Sequence, residues 1–176
     1  IDGGGGDDRI AGENGNDTIY GGAYSLSTER MTALGGNGDD FIAAGSNNDL
    51  LYGDDTGVAQ TGNDFLFGGN GNDNMFGGNG NDNMAGSVGS DFFTGGAGAD
   101  FFNVYYDVNK NDVDYFMDFA PGVDTIILPI WIENDVVYFN QAGWSYGYIG
   151  TGGGSYYLFG AQGVSTAQLE AGVYFA

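Results

Sequence analysis

A nine-residue period governs the first hundred residues of this chain. In the form Gly-Gly-x-Gly-x-Asp-x-U-x, with U a large apolar residue, it reads GGNGNDNMF at residues 68–76, GGNGNDNMA at 77–85 and GGAGADFFN at 95–103. Residues 3–11 and 35–43 fit at every defined position, while 12–20, 44–52 and 86–94 keep the Asp and the apolar residue but lose one or more glycines. Two further copies are interrupted. An insertion follows Gly53-Asp54 before the pattern resumes at Gly62-Asn63-Asp64-Phe65-Leu66. The stretch 21–34 opens on Gly21-Gly22 and loses register, with Glu29-Arg30-Met31 as its stand-in for Asp-x-U. There are thus ten units, nine of which carry the Asp. A fixed period of this length means a solenoid, in which each unit buries its apolar face only against its neighbours.

Each position has a physical reason. The glycines admit φ > 0 and close backbone approach, so a six-residue turn can aim its carbonyls at one spot. The Asp closes that turn. The three residues after it are too few for a helix and enough for a short strand, in which U points inward and its neighbours outward. Ile10, Ile19, Ile42, Leu51, Leu66, Met75, Met84, Phe93 and Phe102 form that inward column. Two units complete one coil of a parallel solenoid with turns on both sides.

One inward side chain per unit does not hold such a coil together. It contributes about 1.5–3 kcal/mol, whereas ordering nine residues of backbone costs about 1–2 kcal/mol each. Charge makes matters worse. The chain has 24 acidic residues against 3 basic ones and a formal net charge of −21. Only Glu13, Glu29, Glu133 and Glu170 among the acids are Glu, so the acidity is Asp placed in turns. Divalent cations between successive turns cure both faults: they neutralise carboxylates and bind exposed carbonyls. With no His and no Cys, the ligands are oxygens alone. That favours Ca²⁺ over zinc or copper, and Mg²⁺ demands a stricter geometry. Folding is therefore expected to be coupled to metal. The 41% hydrophobic and 15% aromatic content separates the chain from disordered acidic tails.

On these residues the segment 3–103 resembles the RTX (repeats-in-toxin) family, whose nonapeptides form a parallel β-roll with Ca²⁺ between turns. The resemblance implies an all-β fold and an ion between the turns of alternate repeats, which share an edge. One edge would carry Asp8, Asp49, Asp73 and Asp91, the other Asp17, Asp40, Asp64, Asp82 and Asp100. Residues of the same turns would complete the metal sites: Gly35 and Asn37; Gly68, Asn70 and Asn72; Gly77, Asn79 and Asn81; Gly95, Ala97 and Ala99. Loss of the Asp in 21–34 leaves Asp8 without a good partner. The insertion at 55–60 is expected to weaken the site shared by Asp40 and Asp64.

Composition changes near residue 103, which divides the chain into a roll (1–103) and a β-rich C-terminal capping segment (104–176). In the latter, Asp114-Tyr115-Phe116-Met117-Asp118-Phe119 followed by Pro121-Gly122-Val123-Asp124-Thr125-Ile126-Ile127-Leu128 resembles the region after the roll in serralysin-type C-terminal domains, with Phe116 for the usual aliphatic residue. That resemblance implies capping strands and, at the extreme C-terminus (Gly172 to Ala176), a type I secretion signal; a buried terminal strand is the alternative reading of those residues. Asp107, Asn109, Asn111 and Asp118 begin like an EF-hand loop, but Asp112 stands where the turn glycine belongs and Asp118 where a bidentate Glu belongs. An irregular extra Ca²⁺ site is the better reading there.

The charge excludes nucleic acid as a partner, since it would repel phosphate. No run of apolar residues is long enough to insert in a membrane, and the N-terminus reads as a cut end with no signal peptide. Catalysis has little to stand on; Asp124, Glu133 and Asp135 could pair as acid and base, but no spacing singles them out. The expected function is a non-catalytic, secreted or cell-surface Ca²⁺-binding module. Its partners are calcium ions and, in transit, the type I secretion apparatus. Two alternatives stay open. One is a surface-layer or adhesion module with calcium-bridged self-association, for which Asp39, Asp54 and Asp55 are surplus acids. The other is glycan binding through Trp131, Trp144, Tyr146, Tyr148, Tyr156 and Tyr157, against core packing of the same aromatics. With only Arg9, Arg30 and Lys110 basic, an anionic polysaccharide such as alginate meets a hostile field unless Ca²⁺ bridges it. That argues against equating the chain with the RTX modules of alginate-modifying epimerases.

Overall fold

The computed structural model describes residues 1–22, 29–55, 60–104, 113–128, 136–141, 144–150, 156–162, 165, 167–168 and 173–175; from residue 128 onward, apart from 165, 167 and 168, it describes the backbone alone. The repeat region supplies ten strands: β1 (Asp8–Asn14), β2 (Thr18–Tyr20), β3 (Met31–Asn37), β4 (Phe41–Ser46), β5 (Leu50–Tyr52), β6 (Phe65–Asn70), β7 (Asn74–Asn79), β8 (Asn83–Val88), β9 (Phe92–Ala97) and β10 (Phe101–Asn103). Six follow: β11 (Val113–Phe116), β12 (Thr125–Leu128), β13 (Val136–Gln141), β14 (Trp144–Gly150), β15 (Tyr156–Gln162) and β16 (Val173–Phe175).

Odd and even strands of the repeats separate into two sheets. One runs β1-β3-β5-β7-β9-β11-β15-β14-β13, the other β16-β12-β10-β8-β6-β4-β2. Throughout the repeats the pairing is parallel, strand n beside strand n+2. A tight turn at each unit swings the chain from one sheet to the other, so two units make one coil, and the fold is a parallel β-roll. The expected inward column is the core. Ile19, Ile42, Leu51, Leu66, Met75, Met84, Phe93 and Phe102 are completely buried and Ile10 nearly so.

The register shows how the interrupted copies are absorbed. Strand β3 pairs Met31 with Asp8 and Ala33 with Ile10, and Ala33 lies opposite Leu51 on its other side. Ala33, not Met31, therefore occupies the inward U position, and Met31 stands in the place of the Asp. The stand-in assigned to Glu29-Arg30-Met31 is thus displaced by two residues.

The sheets continue past the change of composition. Strand β11 pairs in parallel with β9, and β12 with β10. Phe116 and Ile126 are completely buried in line with the U column. The Phe116 ring packs on Phe93 and Phe102, with centroids 5.2 and 5.0 Å apart, so an aromatic fills this end of the core where an aliphatic residue was the usual choice. Strand β16 lies parallel beside β12. Strands β13, β14 and β15 are antiparallel and join the first sheet through parallel β15–β11 pairing; the strand expected around 144–148 is β14.

Candidate metal centres along two carboxylate columns

The Asp of each unit follows the glycine turn and precedes the inward residue by two positions, so its side chain also faces inward. On the second edge these residues stack turn on turn. The Asp17 N–H donates to Oδ1 of Asp40 at 2.7 Å, that of Asp40 to Asp64 at 2.8 Å, that of Asp64 to Asp82 at 2.8 Å and that of Asp82 to Asp100 at 2.9 Å. On the first edge the Asp49 N–H donates to Asp73 at 2.8 Å and that of Asp73 to Asp91 at 2.7 Å. One oxygen of Asp40, Asp64, Asp73, Asp82, Asp91 and Asp100 thus caps the backbone of the turn before it. Oδ2 of Asp8, Asp17, Asp40, Asp49, Asp64, Asp73, Asp82 and Asp100 is buried without a hydrogen-bond partner.

Glycine at the first position makes the recess for that oxygen. A Cβ on Gly12 would come within 2.6 Å of Asp17 Oδ2 and 2.5 Å of the Gly35 carbonyl oxygen. Gly35 is flanked in the same way by Asp40 Oδ2 and the Gly53 carbonyl, Gly53 by Asp64 Oδ2 and the Gly77 carbonyl, and Gly77 by Asp82 Oδ2 and the Gly95 carbonyl. Each recess therefore brings together a carboxylate oxygen and a carbonyl of the next turn.

Buried carboxylates with a free oxygen are costly as anions. Burial pushes the carboxyl of Asp73 up to about 8, those of Asp64 and Asp82 to about 7, and those of Asp49 and Asp100 to about 6. The hydrogen bond from the preceding turn opposes this, while repulsion along the column adds to it, as from Asp91 and Asp49 onto Asp73. A divalent cation beside these oxygens would reverse the balance. The donor set suits a hard cation: oxygen only, one carboxylate per turn, and glycine turns that expose carbonyls. Among the described residues no three acidic side chains converge on one point, so carbonyls must complete any coordination shell.

The turn residues expected to help are in place at each turn, and several also bind the neighbouring coil. The carbonyls of Asn37, Asn79 and Ala97 accept N–H groups of Gly15, Gly62 and Gly80 at 2.8, 3.0 and 2.8 Å; each keeps a second lone pair. Asn70 lies in β6 between Ser46 and Val88. The side chains of Asn72 and Asn81 belong to a separate ladder. Asn72 Oδ1 accepts from Ser90 N–H at 2.9 Å and Asn81 Oδ1 from Ala99 N–H at 2.8 Å. Gly68 and Gly95 form the recesses for Asp73 and Asp100 Oδ2, and Gly95 N–H also donates to Asp118 Oδ1 at 2.9 Å.

Four acidic residues have roles the repeat pattern did not disclose. Asp114 and Asp124 prolong the two columns, accepting from Asp91 N–H and Asp100 N–H, each at 3.1 Å. Their signal was present in Asp114-Tyr115-Phe116 and Asp124-Thr125-Ile126, which keep Asp-x-U without the glycines. Asp124 Oδ2 also accepts from Ala120 N–H at 2.7 Å, so both its oxygens serve the backbone. Asp118 accepts from the N–H groups of both Gly95 and Gly96. Asp54 is not a surface acid available for bridging copies: it is buried, and its Oδ2 accepts from Asn79 N–H at 2.6 Å. Asp39 and Asp55 are exposed. The column passes the insertion without a break, as Asp40 and Asp64 remain hydrogen-bonded. Residues 105–112 of the EF-hand-like stretch, Trp131, Glu133 and Asp135, and the side chains of Trp144, Tyr146, Tyr148, Tyr156 and Tyr157 lie outside the described residues.

Repeated carboxylates in glycine recesses along a parallel roll define a calcium-binding solenoid. Residues 1–23, 32–55, 52–84 and 76–104 match the RTX calcium-binding nonapeptide repeat in four copies, together more than half of the 176 residues. The chain belongs to that family, and its repeats bind calcium ions. The roll is similar to the solution structure of the AlgE6R2 subunit of the mannuronan C5-epimerase of Azotobacter vinelandii, at 22% identity over 81% of this chain and 93% of that one, with a TM-score of 0.54. The AlgE6R3 subunit of the same enzyme gives 22% identity over 81% of each chain and a TM-score of 0.44. At this identity the AlgE6R2 likeness is one of fold. No curated protein matches the chain. Among the described residues no helix is long and apolar enough to cross a membrane.

Proposed function

We propose that this chain is a non-catalytic, extracellular calcium-folding module of a larger bacterial protein exported by type I secretion, with residues 1–103 as the roll and 104–176 as its cap and secretion region. The observation that carries the reading is the set of buried carboxylate oxygens without hydrogen-bond partners, recurring from repeat to repeat at Asp17, Asp40, Asp49, Asp64, Asp73, Asp82 and Asp100. Six pairs of column carboxylates are consecutive on an edge: Asp17/Asp40, Asp40/Asp64, Asp64/Asp82, Asp82/Asp100, Asp49/Asp73 and Asp73/Asp91. Each pair, with carbonyls of Gly35, Asn37, Gly68, Asn70, Asn72, Gly77, Asn79, Asn81, Gly95, Ala97 and Ala99 on the turns between, would hold one Ca²⁺. The bound ion supplies the positive charge that the columns lack. Where calcium is scarce the chain, at a net charge of −21, repels itself and stays threadable; where calcium is plentiful, binding to the folded state alone drives folding by mass action. The serralysin-like motif of residues 114–128 supports the secretion reading.

Far-UV circular dichroism during a Ca²⁺ titration from chelator tests this, with Mg²⁺ as the control. A cooperative gain of β signal with Ca²⁺ alone is the expected result. A folded spectrum indifferent to chelation would end the proposal.

A further inference from the structure

Among the described residues, one column position of the first edge carries no carboxylate. In the column position between Asp8 and Asp49 stands Met31, buried, whose N–H donates to Asp49 Oδ1 at 2.7 Å just as an Asp there would. Its side chain takes the carboxylate's recess. A Cβ on Gly21 would lie 3.0 Å from Met31 Sδ and hard against the Ala44 carbonyl oxygen, where Gly35 has Asp40 Oδ2 and the Gly53 carbonyl. A neutral thioether thus replaces an anionic oxygen in the recess beside Gly21. Below the break the ladder changes as well, for Asp8 N–H donates to the Arg30 carbonyl at 3.0 Å and not to a carboxylate. The partly open space beside Gly21, Glu29, Arg30, Met31 and Asp49 is about 10 Å³, no more than one water needs. Glu29 and Arg30, of opposite charge, both line that space.

We infer that the Met31 position is a calcium-free joint, in which a buried thioether stands where the other turns place an anionic carboxylate oxygen. The first edge then binds calcium only from Asp49 onward, and Asp8 takes no part in metal binding. The chemistry is consistent, because a soft, neutral sulfur is a poor ligand for a hard cation. A joint of this kind keeps the first two coils folded on one edge without an ion.

This inference rests on the proposed pairing of carboxylates by calcium, and counting bound ions separates the two. Calcium per chain is measured by atomic emission after equilibrium dialysis on the full chain, with folding followed by circular dichroism. Asp8→Asn is expected to lose no ion. Met31→Asp, which completes pairs with both Asp8 and Asp49, is expected to gain two, while Met31→Leu keeps the wild-type count. Loss of an ion in Asp8→Asn, or an unchanged count in a folded Met31→Asp, would overturn the calcium-free joint and leave the wider pairing intact. If Met31→Asp does not fold, the Asp8→Asn count decides alone. A wild-type chain that binds no calcium would overturn the pairing itself.

Discussion

The two edges of the roll are made from the same repeat and differ in one column position. The second edge carries Asp17, Asp40, Asp64, Asp82 and Asp100 in unbroken hydrogen-bonded succession and ends on Asp124. Along the first edge the succession runs Asp49, Asp73, Asp91 and Asp114, with Met31 between it and Asp8. The backbone is indifferent to the exchange, since Met31 N–H finds the same acceptor as an Asp N–H. What changes is charge. The geometry of a β-roll is set by its sheets and glycine turns, and the carboxylate column is a separate layer that can be interrupted without breaking the coil.

The sharpest way to expose that difference is to neutralise corresponding residues on the two edges. Asp40 belongs to two consecutive pairs and Asp49 to one. An ion present at a hundred times its Kd stabilises the folded state by about 2.7 kcal/mol. Asp40→Asn should therefore cost about 5 kcal/mol in saturating calcium and Asp49→Asn about half as much, because the amide keeps the hydrogen bond to the preceding turn. Urea unfolding of both variants checks this. Equal losses would mean that the columns do not act as chains of shared ions.

Removing the metal and lowering the pH gives an intermediate effect of known sign. Burial raises Asp73 to about 8, Asp64 and Asp82 to about 7, and Asp49 and Asp100 to about 6, all above the ordinary value of 3.8. The folded chain therefore binds protons more tightly than the unfolded chain, and stability falls as pH rises. In chelator the roll should gain structure as pH is lowered from 8 to 5, protons standing in for cations. With calcium present, protons compete with the ion, and acidification should release it. Circular dichroism at fixed chelator concentration follows the first effect; structure that rises with pH in chelator would contradict it.

The nine-residue register made the two sheets, the inward column from Ile10 to Phe102 and the nine repeat carboxylates legible in the sequence, because glycine turns and a three-residue strand leave the chain few alternatives. The stretch 21–34 was not, for a reason of parity. Side chains alternate with a period of two, so a slip of two residues leaves the same set facing inward. Met31 and Ala33 are both buried, and apolar character cannot say which of them is in the U position. Register with Asp8 and Ile10 decides it, and that is a property of the neighbouring strand. Asp114 and Asp124 were hidden because their turns lack the glycines by which a unit is recognised, although the Asp-x-U triad survives. Asp54 stands where most units have their second glycine, so in sequence it reads as loop acidity; only the fold buries it.

The second glycine also gives the smallest expected effect. Its φ is +113° at Gly36 and +118° at Gly78 on the second edge, a region that side chains enter at a cost of about 1–2 kcal/mol. Two units keep the turn without the glycine: Glu13 on the second edge at +77° and Ser87 on the first at +80°. Neither belongs to a carboxylate column, so replacing either with glycine changes backbone strain and leaves the proposed ion pairs alone. Glu13→Gly and Ser87→Gly should each stabilise the roll by about 1 kcal/mol, raising Tm by about 3 °C for a chain of this size. If the strain is local to the turn, the two gains are equal on the two edges and independent of calcium concentration above saturation. A gain at Glu13 that vanishes at high salt while that at Ser87 persists would instead attribute the Glu13 effect to the removal of one negative charge from an acidic surface.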